Sequence, residues 1–173
     1  MAIENWVRKA GTTYTYDDNL TGGGLFPAKD PTKAYDDNPN WPSVYGGYHL
    51  TGPGYVGFGA TFSSPITMSR IGGSGLTWVV GGGARPRWQI DYYNGAWVTQ
   101  DSGNTNLGNF ATKETTILDY TELSISNVTQ VRMWLTGSND GSGLDLWIGE
   151  LWAYGEGGKG PLPLHFNNAG LPI

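Results

Sequence analysis

Val56-Gly57-Phe58-Gly59-Ala60-Thr61-Phe62 decides the fold class. Apolar residues alternate with glycines and a threonine, so one face of this segment is apolar and the other nearly bare. A period of two is the mark of a β-strand. The same alternation returns in Trp88, Ile90 and Tyr92, set between Gln89, Asp91 and Tyr93. It returns again in Val131, Met133 and Leu135, set between Arg132 and Trp134. Leu144, Leu146 and Ile148 lead into Leu151, Trp152 and Tyr154, a long strand with apolar residues on both faces. Shorter strands are expected over residues 12–16, 66–71, 76–80, 96–99 and 115–118. Turn chemistry separates them. Asn94-Gly95 predicts a two-residue type I′ hairpin, in which both central residues take positive φ. Asn139-Asp140-Gly141-Ser142-Gly143 is a turn cluster between two strong strands. Gly72, Gly73 and Gly75 on one side, and Gly81, Gly82 and Gly83 on the other, bracket the 76–80 strand. No segment carries a helical apolar stripe. The expectation is an all-β, two-sheet jelly-roll sandwich of eight or so strands.

Composition agrees and excludes several functions. The 173 residues suit one domain, and 28 Gly with 10 Pro make it turn-rich. Charged residues are only 14% of the chain, while eight Trp and ten Tyr give it ample material for a core. The net charge of −5 argues against nucleic acid, because phosphate binding needs clustered Lys and Arg. No basic run suits an anionic membrane surface, and no apolar run is long enough for membrane insertion. With no Cys there is neither a disulfide framework nor a thiol nucleophile. The first residues lack a signal core, so synthesis in a cytosol is expected, with later release outside the cell on a virion. Residues 20–41 form a long Gly/Pro/Asp-rich loop, and residues 156–173 an extended tail with Pro161, Pro163 and Pro172.

Four segments, in order, resemble the discoidin (F5/8 type C) family, whose glycan-binding branch is the family 32 carbohydrate-binding modules. Ala34-Tyr35-Asp36-Asp37-Asn38-Pro39-Asn40-Trp41 resembles that family's Ala-aromatic-Asp-Gly-Asn-Pro…Trp loop, with Asp37 where the family usually has Gly. The aromatic strand 55–62 leads into Pro65-Ile66-Thr67-Met68-Ser69-Arg70-Ile71, similar to the family's Val-Ser-Arg-Ile strand. Residues 88–97 are similar to its Tyr-x-Ile-x-Tyr-Ser-x-Asp-Gly-x-Trp hairpin. Val131-Arg132-Met133 and Glu150-Leu151-Trp152-Ala153-Tyr154-Gly155 are similar to its last two strands. The resemblance spans roughly residues 30–155, and it divides the chain into a sandwich, 1–155, and a tail, 156–173.

The resemblance implies a structural calcium ion tying the first loop to the last strand. Hard cations want six to eight oxygens. Asp36 would give a carboxylate and Ala34 a carbonyl, Asp37, Asn38 and Asn40 offer further oxygens, and Glu150 would close the site. It also implies a saccharide ligand. Sugars are held by aromatic faces and a few convergent polar groups in a concave surface. Tyr45, Tyr48 and His49 follow the first loop, Arg85 and Arg87 are good hydroxyl and carboxylate donors, and Asn139 and Asp140 precede the last strand. These seven are the expected glycan contacts. Trp6, Trp88, Trp97 and Trp152 are expected to pack in the core.

Catalytic patterns are poor. His49 and His165 stand alone, and Ser74 in Gly-Gly-Ser-Gly-Leu lacks the second glycine of a nucleophile elbow. Gly155-x-Gly157-x-x-Gly160 is followed by Pro161 and Pro163, so no helix can receive a phosphate there. The expected function is therefore a non-catalytic carbohydrate-binding module, displayed on a phage or viral particle for glycan adhesion. The alternative is a structural virion protein, a head decoration or tail component that docks neighbouring virion proteins through its N-terminus and C-terminal tail. A glycan-processing enzyme is the third reading.

Overall fold

The computed structural model describes residues 3–20, 30–40, 43–49, 52–79, 86–107, 112, 114–139 and 144–157, without the side chains of 48, 49, 52, 78, 79, 138 and 139. Nine strands follow one another among the described residues. They are β1 (Glu4–Asn5), β2 (Thr13–Asp18), β3 (Tyr45–His49), β4 (Gly52–Val79), β5 (Arg87–Tyr93), β6 (Trp97–Gly103), β7 (Thr116–Tyr120), β8 (Ile125–Asn139) and β9 (Leu144–Gly157). The helical pieces among these residues are two 3-10 turns, Trp6–Arg8 and Pro31–Ala34. Asn5 caps the first and Asp30 the second, each side chain accepting a backbone N–H two residues on.

β4 organises the molecule. Its 28 residues pair with β8 from Gly52 to Met68 and with β9 from Ile66 to Val79, the two ladders overlapping at Ile66 and Met68, with register shifts in both. Such irregularities bend a strand. The bend at residues 62–65 lies where Pro65, lacking an N–H, has no ladder bond to lose. One continuous antiparallel ladder thereby folds into two layers. The first runs β2–β4–β8–β5–β6. The second runs β7–β4–β9, with β3 and β1 sharing the outer edge of β9. Between the layers lie Val56, Phe58, Val131, Met133, Leu135, Ile71, Leu146 and Leu151, each at most 1% exposed.

The expected hydrophobic alternation is thus seen on β4, β5 and β8, and Trp6 and Trp152 are buried as expected. Trp88 is half-buried against the core. Three local expectations need correction. Gly72, Gly73 and Gly75 do not break the chain; β4 runs through them because the layers meet there. A Cβ at Gly73 would sit 2.8 Å from Met133 Sδ and 2.9 Å from the Glu150 carbonyl, and one at Gly72 only 2.4 Å from the Leu118 carbonyl. The hairpin at Asn94-Gly95 exists, but Tyr93 pairs with Trp97, so its loop has a third residue, Ala96. Of the two expected turn residues, Gly95 alone has positive φ, at +113°. Trp97 is 40% exposed and does not belong to the core.

The described residues 3–20, which precede the resemblance, are built into the sandwich. β1 pairs with β9, Trp6 Nε1 donates to the Gly155 carbonyl at 3.1 Å, and Tyr14 stacks on Tyr35 with ring centroids 4.1 Å apart. At the other end, β9 continues through Glu156 and Gly157, opposite Thr67 and Ile66, two residues past the expected boundary. The remaining tail, 158–173, lies outside the described residues.

Gly73→Ala is expected to cost about 1–3 kcal/mol, because the added methyl meets backbone as well as Met133. A chemical-denaturation midpoint that falls with an unchanged slope checks this.

Candidate functional site

The outer face of the first layer follows from register. In antiparallel pairs, opposed residues share a face. One row across the strands reads Asp17, Gly57, Trp134, Gln89 and Ser102, and the next reads Thr15, Gly59, Arg132, Asp91 and Thr99. Gly57 and Gly59 leave the centre of this face without side chains. Trp134 fills the space over Gly57, since a Cβ there would lie 2.4 Å from its ring. Beside it, the Arg132 guanidinium stacks 3.8 Å from the centroid of Trp97 and 5.8 Å from that of Trp134. Asp91, 1% exposed, accepts from Arg132 Nε at 2.7 Å and fixes the guanidinium. A cation over an indole face is itself favourable, by about 0.5–2 kcal/mol. The result is a glycine-floored trough walled by Trp97, Arg132 and Trp134.

Trp134 borders two hollows. One of about 130 Å³ lies toward β2 and β4, bounded also by Thr15, Asp17, Gln130 and Trp97. The other, of about 300 Å³, lies toward β5 and β6, bounded by Arg87, Gln89, Ser102 and Asn104.

The seven expected glycan contacts do not form one described cluster. Arg87 is exposed and lines the second hollow. Tyr45 must be corrected: it is 1% exposed, its hydroxyl donates to Asp18 Oδ2 at 3.0 Å, and its buried ring offers no face to a sugar. Tyr48 and His49 are placed on β3 opposite Asp145 and Leu144, and Asn139 ends β8 opposite Gly52, by backbone alone. Arg85 and Asp140 lie outside the described residues. Trp97, Arg132, Trp134 and Gln89 were not expected as contacts.

No protein-family model matches the chain, and no curated protein matches it. Solved structures do. A glycoside hydrolase family 29 fucosidase from Ruminococcus gnavus aligns over 88% of this chain at TM-score 0.53 and 15% identity. This chain spans only 27% of that enzyme. Chitosan-binding module 1 from a chitosanase/glucanase of Paenibacillus sp. IK-5 aligns over 87% of this chain and 98% of its own, at TM-score 0.52 and 19% identity. A family 32 carbohydrate-binding module of C. perfringens, solved with galactose, aligns over 88% and 99% at TM-score 0.48 and 13% identity. The fold is an all-β jelly roll, shared with the fucosidase segment and the chitosan-binding module. At these identities the likeness is one of fold alone.

In this jelly roll the loop expected to hold calcium meets β9 at Glu150. Ala34 is buried at the end of its 3-10 turn. Asp36 accepts from Ser43 Oγ, from the Asn38 N–H at 3.1 Å and from Lys33 Nζ at 3.3 Å. Asn38 Oδ1 accepts the Asn40 N–H, closing a second Asx turn. Asp37 takes φ +71°, a conformation that Gly adopts freely and that Asp tolerates better than most residues. Its carboxylate pairs with Arg8 at 2.7 Å, and its N–H donates to Glu150 Oε2 at 3.1 Å. Glu150 is 4% exposed, and its Oε1 is buried without a hydrogen-bond partner. That orphaned oxygen is what a hard cation would satisfy. Most other ligands would have to be backbone carbonyls, because among the described residues no three acidic, His or Cys side chains converge.

Burial pushes the Glu150 carboxyl up to about 7; the hydrogen bond from the Asp37 N–H and the Arg8 charge oppose this, and the Asp36 and Asp37 charges reinforce it. Burial likewise pushes Asp145, 2% exposed, up to about 6. A carboxyl with a raised folded-state pKa binds its proton more tightly when folded, so its stabilisation is full below the unfolded pKa and is lost as pH rises. In metal-free buffer, stability is therefore expected to fall between about pH 4 and pH 7. Glu150 contributes on the order of 3 kcal/mol to that fall. Glu150→Gln should flatten the profile in urea titrations taken across this range, and an unchanged slope would contradict the assignment.

Proposed function

We propose that the chain is a non-catalytic carbohydrate-binding module. The observation that carries this reading is the trough: an exposed indole at Trp97, a half-buried one at Trp134, and polar groups of Arg132, Gln89, Asp17 and Arg87 within one glycine-floored surface. Ring faces favour the C–H faces of pyranoses, and the surrounding amide, carboxylate and guanidinium groups suit hydroxyls. A sandwich presenting such a surface needs no conformational change to bind.

The non-catalytic part rests on where the perturbed acids sit. Asp145 and Glu150, the carboxyls raised toward neutrality, are buried on β9 in the opposite layer. Glycoside hydrolysis needs a raised acid and a second carboxylate flanking the bond. Asp17 and Asp91 line or underlie the trough, and Asp91 is already engaged by Arg132.

Calcium belongs to the same proposal as a structural ion at the Glu150 corner, joining the Ala34–Asn40 loop to β9. Display on a phage or viral particle would add avidity, many copies turning weak sites into firm adhesion.

On a glycan array, the purified chain is expected to bind at least one saccharide class, with single-site affinity on the order of millimolar to micromolar. Incubation with the bound glycan should release no reducing ends; their appearance would make the chain an enzyme. Saturating calcium is expected to raise Tm by several degrees over EGTA, through roughly 2–3 kcal/mol of linked binding. Glu150→Gln should remove the difference, and identical wild-type melting in both buffers removes the ion.

A further inference from the structure

The trough has a shape that narrows its ligand. We infer that it takes an extended saccharide chain lying across the strands from β2 to β6, over Trp134, rather than a single terminal sugar. This rests on the carbohydrate reading and goes beyond it.

Three observations carry the inference. First, the two hollows share Trp134 but no other lining residue, so the indole stands between two separate places for sugar units on one face. A site built for one terminal residue would need only one of them. Second, the row Asp17–Gly57–Trp134–Gln89–Ser102 runs from edge to edge. β2 pairs with β4 and β6 with β5, so each is the last strand of its layer. Among the described residues no further strand walls off either end of the row. Five strands at about 4.8 Å spacing make a path of roughly 19 Å, long enough for several pyranose units.

Third, the chemistry along this path is distributed. Toward β2 it offers the Asp17 carboxylate and the Thr15 hydroxyl, at its middle the two indoles and Arg132, and toward β6 Gln89, Ser102 and Arg87. Gln89 is held in place by bonds from its Nε2 to Asp91 Oδ1 at 2.7 Å and Thr99 Oγ1 at 3.2 Å. Single-sugar sites gather their polar groups around one ring instead. Gly57 lets the Trp134 ring settle against the main chain, where any larger residue at 57 would lift it.

A comparable hollow on the second layer lacks this character. There Arg70 is taken up by a two-pronged bond to Asp119, at 2.8 Å for each nitrogen, and Trp152 Nε1 donates to the same carboxylate.

The test runs the whole chain in native affinity gels containing soluble cellulose, chitosan, xylan, mannan or hyaluronan, alongside an array of terminal monosaccharides. Retardation by at least one linear polysaccharide is expected, weakened roughly tenfold or more by Trp134→Ala, which is about 1.4 kcal/mol. Trp97→Ala, at an exposed position, and Gln89→Ala weaken it too, one from each hollow, and guard against misfolding of the Trp134 variant. If the array shows terminal-sugar binding while no polysaccharide retards the chain, the extended-chain inference falls and the carbohydrate reading stands. If all three variants retard like the wild type, binding occurs elsewhere and the inference falls. If neither gels nor array show binding, the carbohydrate reading falls with it.

Discussion

β4 is hydrogen-bonded to β8 along its first half and to β9 along its second, so one strand belongs to both layers. Every other element takes its position from that sharing. β2 and β7 lie along opposite ends of β4, β5 and β6 extend from β8, and β1 and β3 lie along β9. The constraint this imposes is steric. Where the second half of β4 passes under Met133, only glycine lets the layers close, and burial of the core depends on that closure. The same rule operates on the outside of the first half, where Gly57 makes room for Trp134.

Much of this was legible in the sequence because a period of two cannot be mistaken once a face is buried. Val56 to Phe62 and Val131 to Leu135 announce their inward residues plainly. Gly72, Gly73 and Gly75 were misread because glycine signals two things, a turn or a close approach, and only tertiary contacts distinguish them. The departure at Asp37 proves to be a residue with positive φ, which is what a position favouring Gly would require.

The trough was less legible. Its parts were visible singly: the bare face of residues 57–61, the outward Arg132 and Trp134, and Trp97 just after a hairpin. Joining them needs the pairing order β2–β4–β8–β5–β6, which no local pattern encodes. Tyr45 failed for a related reason. A tyrosine beside glycines reads as a loop aromatic, yet β3 pairs with β9 and carries its ring inward to Asp18.

The floor beneath Trp134 is main chain at the middle of a hydrogen-bonded sandwich, and it can neither swing nor repack. A ligand at the proposed site would therefore meet a template that is set before contact, and the entropy lost on association would come mostly from the ligand's own linkages. At the proposed site, variation in ligand choice would be confined to the side chains that stand around that template. Gly57 and Gly59 form the immobile part of an otherwise adaptable face.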